Sequence, residues 1–275
     1  MKQEWTRYRR ICEGVDLLEA VLDRHVYERH MHDTFAIGLT LGGVQRFWCR
    51  GTTHDSRPGN VIVIRPFEAH DGQSGTAHEY SYRMFYVSVA KLQSIAVHVS
   101  SDRTCALGTS SAVVDDRKAF RALLTASNAA RAGCSLAADQ LVHDALLSLA
   151  GDVADDDGGP ANRAALTRVR DYLHDRVART ITVDELATVA GISRFRLTRQ
   201  IQRAYRLPLH AYHLHVRLEE ARRRLTAGAS IAVVAADLGF VDQSHLHRRF
   251  KGAFGMTPAE WQRCTTIQDT PRASS

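Results

Sequence analysis

No stretch of this chain stays apolar for long: the longest unbroken run is IAVVAA, residues 231–236, far short of the roughly 20 residues that a membrane-crossing helix needs. Nor do the charges of the opening MKQEWTRYRR lead into the apolar segment of a secretory leader. Both absences point to the cytoplasm and to no membrane partner. The five cysteines (Cys12, Cys49, Cys105, Cys134 and Cys264) are odd in number, scattered, and never in C-x-x-C spacing. This argues against a disulfide framework and against a zinc knuckle, and leaves free thiols.

What is present is a lopsided charge. Residues 1–162 carry 17 Lys+Arg against 20 Asp+Glu, whereas residues 163–275 carry 19 against 10. The basic excess therefore sits wholly in the last part of the chain, where it forms the electrostatic footprint of a module that meets phosphate backbones. At 275 residues with 44% hydrophobic content, the chain can hold two compact domains, each with its own core.

The segment GDVADDDGGPAN, residues 151–162, joins three consecutive aspartates to Gly-Gly-Pro without an apolar anchor, and so reads as an exposed linker. Upstream, FAIGLTLGGVQRFWCRG places two β-rich runs around Gly42-Gly43, a hairpin signal, and VIVIRP and YSYRMFYVSV follow as further strands. Residues 1–112 are thus expected to be mostly β. Residues 113–150 then carry Phe120, Leu123, Leu124, Leu141, Ala145, Leu146 and Leu149 at helical spacing, interrupted at Ala132-Gly133. They predict a helical hairpin whose apolar face is covered either by the β domain or by a second copy of the chain.

Beyond the linker, the pattern is helical throughout residues 163–265. Thr182–Glu185 is a capping box and Gly191 a natural helix stop. Ser193 caps the next helix. Pro208 precedes a long one with Leu214, Leu218, Ala221 and Leu225 on one stripe, and Glu219–Arg223 and Glu220–Arg224 at i,i+4 on its outer surface. Thr257–Glu260 is a second capping box, with proline at the first helical position.

Laying ELATVAGISRFRLTRQIQRAYRLP over VVAADLGFVDQSHLHRRFKGAFGMTP reveals one plan used twice. Each copy has a short apolar helix ending in glycine (Gly191, Gly239), an apolar residue (Ile192, Phe240) and a polar cap (Ser193, Asp242). Leucine then follows (Leu197, Leu246), with apolar residues four and eight positions on (Ile201 and Tyr205; Phe250 and Phe254). Short helix, tight turn and second helix make a helix-turn-helix, whose second helix enters the major groove. With those apolar positions turned inward, the outer face of the first unit carries Arg194, Phe195, Arg196, Thr198, Arg199 and Gln202, and that of the second Gln243, Ser244, His245, His247 and Arg248. These side chains can bond base edges, touch a thymine methyl or hold phosphate. A charge run alone would read as a solvated helix face; the repeat, together with the basic excess, turns the reading to DNA. His174, His210, His213 and His215 read as surface or packing residues.

On ELATVAGIS, HVRLEEARRRLTAG, IAVVAADLGFVDQSHLHRRFKGAFGMTPAEW and the offset of roughly fifty residues between the units, residues 163–263 resemble the DNA-binding domain of the AraC/XylS family of bacterial transcription regulators. The resemblance implies two helix-turn-helix units bridged by one long helix, here Pro208 to Thr226, reading successive major-groove segments about 34 Å apart. The second recognition helix departs from the family in carrying two histidines where amide and hydroxyl groups are common, so no base preference carries over.

HMHDTFAIGLTLGGVQRF, followed by RPGNVIVIRPFEAH, resembles the cupin-like sensor barrel of the same family, through His30-x-His32, Pro58-Gly59, Pro66 and His70. Metal-binding cupins add a glutamate, but Ala36 and Ile37 stand four and five positions after His32. No cofactor is therefore expected; if a cation binds, its ligands are His30, His32 and His70. An organic effector is expected inside, against walls drawn from His30, His32, Phe35, Phe47, Trp48, His70, Arg83 and Phe85, although one sequence leaves the inward face of each strand open. The expected protein is an α+β, two-domain regulator: a cupin-like β-barrel with a helical hairpin, then an all-α double helix-turn-helix. It would bind double-stranded DNA under control of a small molecule, as a homodimer, with RNA polymerase as a candidate partner, and would not be an enzyme. The rival is a metal-dependent cupin enzyme or metal sensor fused to a DNA-binding tail, which needs a complete ligand shell with an open position.

Overall fold

The computed structural model describes residues 4–96, 111–133, 135–149 and 159–266. Contacts divide the chain into two compact units, centred on Met1–Ala154 and Asp155–Gln262.

The first unit runs β1 (Trp5–Cys12), β2 (Val15–Leu22), β3 (Tyr27–His30), β4 (Phe35–Gly42), β5 (Gln45–Cys49), β6 (Thr52–Ser56), β7 (Val61–Ile64), β8 (His70–Ser74), β9 (Tyr80–Val87), α1 (Val89–Ala96), β10 (Val113–Val114), α2 (Arg117–Arg131) and α3 (Ser135–Leu149). The strands form two antiparallel sheets, ordered β1-β2-β9-β4-β7-β10 and β3-β8-β5-β6, which are not closed into a barrel. They face one another. The Tyr27 and Tyr82 hydroxyls meet at 2.7 Å, Thr40 and Ser56 do the same at 2.7 Å, and the His32 ring stands 5.2 Å from that of Tyr86.

The period-two alternation of β strands decides which side chains enter the space between the sheets. On β9, Tyr82 points into it, while Arg83, Phe85 and Val87 point to the other side. That other side is the main core, where Leu17, Ile37, Leu39, Val61, Val63 and Phe85 pack against Ala119, Leu123 and Ala126 of α2 and Val142, Ala145 and Leu146 of α3. Each of the Leu, Ile, Val and Phe side chains taken out of water there contributes about 1.5–3 kcal/mol. The sheet thus covers the apolar stripe of the hairpin within one copy, and Phe120, Leu124 and Leu141 stay half-buried at its margin. Asp116 opens α2 by accepting from the amides of Lys118 and Ala119.

Two expectations are corrected. The runs flanking Gly42-Gly43 are not a hairpin: β4 pairs with β7 and β9, and β5 with β6 and β8. At Gly43 (φ +68°) a Cβ would come within 2.4 Å of the Glu79 carbonyl, so the backbone passes too close to its neighbour for any side chain, and there the chain leaves one sheet for the other. The linker also ends sooner than its composition suggests. Residues 159–162 already belong to α4 (Gly159–Asp175), because proline is tolerated in a first helical turn, where its missing N–H has no partner to lose. Residues 151–158 lie outside the described residues, as do Cys105 and Cys134.

The second unit continues with α5 (Val183–Ala190), α6 (Arg194–Tyr205), α7 (Leu209–Thr226), α8 (Ile231–Asp237), α9 (Gln243–Phe254) and α10 (Pro258–Thr266). Thr182, Ser193, Ser230 and Asp242 accept backbone N–H groups at four helix starts, and Gly191 and Gly239 turn at φ +68° and +70°. Leu218, Ala221 and Leu225 of α7 are buried and Leu214 is half-buried. Glu219 is not on the outer surface: it is buried and bonds Arg222, while Glu220 bonds both Arg223 and Arg224. Among the described residues, no helix is long and apolar enough to cross a membrane.

Candidate nucleic-acid interface and sensor chamber

Leu197 and Ile201 of α6 are buried, as are their counterparts Leu246 and Phe250 of α9. A 3.6-residue period must then turn the residues between them outward. Arg194, Phe195, Arg196, Thr198, Arg199 and Gln202 are all exposed, as are Gln243, Ser244, His247 and Arg248. Phe195 is 77% exposed.

Two of the expected contacts are held differently from their neighbours. Arg194 forms an ion pair with Asp184 of α5 at 3.0 Å, which ties its guanidinium to the preceding helix. His245 is half-buried, with its ring edge-on to Phe240 at 5.6 Å and its Nδ1 accepting from the Val241 amide at 3.4 Å. It braces the turn before α9, while Gln243, Ser244, His247 and Arg248 stay exposed on that helix.

The repeat extends further than its quoted motifs. Tyr205 stacks on Tyr212 at 4.3 Å between α6 and α7, and forty-nine residues later Phe254 meets Trp261 at 6.1 Å between α9 and α10. Arg168 of α4 donates to the carbonyls of Val189 and Ala190, completing the end of α5. Its counterpart Arg217, on α7, donates to Gly239 in the second turn.

His213 lies one turn before Arg217 and is half-buried. Burial, then the adjacent Arg217 charge, push its imidazole down to about 4, against a smaller opposite pull from a bond with the Val177 backbone. Since the folded value lies below the ordinary 6.5, the neutral ring's contribution is complete above 6.5 and is lost as pH falls through about 4. We expect the wild-type melting temperature to drop faster than that of His213→Gln between pH 6.5 and pH 4; parallel curves would show that His213 does not titrate in this way.

In the first unit, His30, His32 and His70 come together, with ring centroids 4.2 to 6.2 Å apart. Each places Nδ1 on a backbone carbonyl, of Glu28, Thr34 and Glu68 respectively, at 2.8–2.9 Å. A carbonyl can only accept, so each Nδ1 carries the proton and each ring's direction is fixed. Among the described residues, however, no group of three or more His, Cys, Asp or Glu is placed to hold a metal ion.

Of the expected walls, Phe47 is buried on the inward side of β5 together with Cys49 and Gln45. Trp48, one position off, faces outward with the Arg29 guanidinium 3.8 Å over its ring. Phe35 and Phe85 belong to the core beneath the hairpin. Arg83 bonds Ser127 and Asn128 of α2 and pairs with buried Glu19 at 3.1 Å. Sequence reasoning missed the tyrosines instead: Tyr27, Tyr80 and Tyr82 are all buried, and burial raises each hydroxyl well above its ordinary range, so all three are neutral. The Tyr80 hydroxyl and Gln45 Oε1 have no hydrogen-bond partner among the described residues. Cys12, Cys49 and Cys264 are free thiols. Burial, with Asp139 beside Cys12 and Glu68 near Cys49, pushes the first two up to about 12, so neither is a nucleophile at neutral pH.

A family model described as an AraC-like ligand binding domain matches residues 14–146, and one described as a helix-turn-helix domain matches residues 186–263. Similar curated proteins include the uncharacterized HTH-type transcriptional regulator YbfI of Bacillus subtilis, 22% identical over 229 residues, covering 80% of this chain and 81% of its own length. The Msm operon regulatory protein of Streptococcus mutans is 21% identical over 243 residues, 85% of each. The transcriptional activator NphR of a Rhodococcus species is 36% identical over 103 residues, 36% of this chain and 30% of that one. Among solved structures, ToxT from Vibrio cholerae matches with a TM-score of 0.62 at 9% identity, over 93% of this chain and 99% of that one. ToxT bound to an unsaturated fatty acid matches with a TM-score of 0.59 at 10% identity, over 97% and 99%. At this identity, the likeness speaks for the fold.

Proposed function

The chain belongs to the AraC family of transcriptional regulators, and from that premise we propose that α6 and α9 enter successive major-groove segments on one face of a DNA duplex. Arg199 and Arg248 are the main polar anchors, Phe195 and Thr198 meet thymine methyls, and Ser244 and His247 bond base edges. Arg194 and His245 act one step back, bracing the turns. The observation that carries this reading is the shared inward frame of the two helices, Leu197 and Ile201 in one and Leu246 and Phe250 in the other, which leaves equivalent outward faces on both. A selection of genomic fragments by the purified chain, with and without candidate metabolites, tests it: enrichment of one sequence with two recognisable half-sites is expected, and enrichment by charge alone would count against it.

The effector occupies the space between the two sheets. ToxT holds a fatty acid. Here the buried Phe47, Ile62, Ile64 and Met84, with neutral tyrosine hydroxyls and a histidine cluster, suit an organic molecule with an apolar body and a polar head. The relatives are regulators, and the chain acts as a binding protein rather than an enzyme. Effector binding can act only by favouring one arrangement of the two units over another. A second copy docks along the half-buried margin of α2 and α3 at Phe120, Leu124 and Leu141, and RNA polymerase is the partner once the protein is on DNA. Phe47→Ala should abolish the thermal upshift that a bound effector gives; an unchanged upshift would place the effector elsewhere.

A further inference from the structure

The guanidinium of Arg217, halfway along α7, donates three hydrogen bonds to three backbone carbonyls. Nε reaches Val177 at 3.0 Å and Nη2 reaches Arg179 at 3.1 Å, both in the segment between α4 and α5. Nη1 reaches Gly239, the turn residue of the second helix-turn-helix, at 3.3 Å. One side chain of the second compact unit therefore holds backbone that leads into the first helix-turn-helix and backbone at the turn of the second. A second contact closes the same junction: a Cβ on Gly239 would stand 2.8 Å from the Ala178 carbonyl oxygen and 3.5 Å from Arg217 Cζ, so the turn of the second helix-turn-helix lies directly against the Val177–Arg179 segment that leads into the first.

The repeat supplies an internal comparison. Arg168 occupies the equivalent position ahead of the first helix-turn-helix, but among the described residues it serves only the Val189 and Ala190 carbonyls of that same helix-turn-helix. A guanidinium presents its donors in a rigid planar fork, so it fixes direction as well as distance, which a flexible ammonium does not. Carbonyls at a loop and at a helix end are also acceptors that the helical ladder leaves over.

We propose that Arg217 is the positioning residue that sets the spacing between the two DNA-reading helices, and through it the distance between the two half-sites this protein accepts. Arg217 itself touches no base; it acts through the Val177–Arg179 segment and the Gly239 turn. This inference rests on the proposal that both helices read one duplex.

The test uses the full chain and a duplex selected from random sequence by the wild-type protein, together with versions carrying one base pair added or removed between the half-sites. Wild type should bind the altered duplexes far more weakly than the selected one. Arg217→Met should narrow that penalty by roughly tenfold, as expected when hydrogen bonds to a charged group are lost. Arg168→Met should weaken binding to all three duplexes while keeping the penalty, since it loosens one unit without loosening the junction. Arg217→Lys, which keeps the charge but not the fork, should fall between wild type and the methionine variant, and it decides the matter if the methionine variant fails to fold by circular dichroism. A folded Arg217→Met or Arg217→Lys protein with the full wild-type penalty would overturn the assignment of Arg217 alone. Wild type indifferent to the added base pair would overturn the two-helix reading, and with it this one.

Discussion

Replacing Arg199 and Arg248 together with alanine is expected to weaken specific DNA binding by roughly 2–6 kcal/mol, two contacts each worth about 1–3 kcal/mol, with helicity unchanged. Both side chains are exposed, and among the described residues neither forms an ion pair, so neither substitution removes a bond that holds the fold. Their neighbours differ in this respect: alanine at Arg194 would also release Asp184. If the two sites are read independently, the single losses should add to the double loss, because residues on separate helices without shared partners rarely couple. Binding at several salt concentrations separates the two kinds of contact. A side chain that neutralises a phosphate flattens the salt slope when removed, whereas one that reads a base lowers affinity and relaxes sequence preference. Titration of a selected duplex with wild type, the singles and the double measures both; wild-type affinity in the double variant would remove these residues from the interface.

Gly239→Val should destabilise the DNA-binding unit by roughly 2–4 kcal/mol, the cost of a left-handed backbone under a branched side chain together with a steric conflict. The turn sits at φ +70°, and the added Cβ would press on the Ala178 carbonyl at 2.8 Å. Gly228, at φ +86°, has open space where its Cβ would stand. Gly228→Val should therefore show the conformational cost alone, and the difference between the two isolates the contact across the junction. Urea unfolding followed by helical circular dichroism provides the comparison. Equal losses at the two glycines would mean that the segment around Ala178 moves aside freely, which would also weaken the case for a fixed spacing.

The second unit was legible because its signals are local. A capping box at Thr182, a stop at Gly191 and a leucine frame four residues apart each follow from hydrogen bonds and periodicities within a few turns of chain. Arg217 was not legible, because nothing in HVRLEE distinguishes an arginine facing water from one facing carbonyls 22 and 40 residues away. The first unit was harder for the same reason. Strand pairing is non-local, so Gly42-Gly43 reads as a hairpin although its flanking strands join different sheets. A one-residue error of phase sends a side chain to the opposite face, which is how Trp48 and Arg83 could be expected beside Phe47 yet lie outside the space it lines. The tyrosines that line that space occur in a run, YSYRMFY, whose alternation is plain only once Tyr82 is seen to meet Tyr27.

The most direct test of the account is a hydroxyl-radical footprint of the full chain on a selected duplex. Two protected patches about one helical turn apart on one face are expected, the one under α6 fading in Arg199→Ala and the one under α9 fading in Arg248→Ala. A single patch, or two that fade together in either variant, would contradict the claim that this chain reads DNA with two separately placed helices.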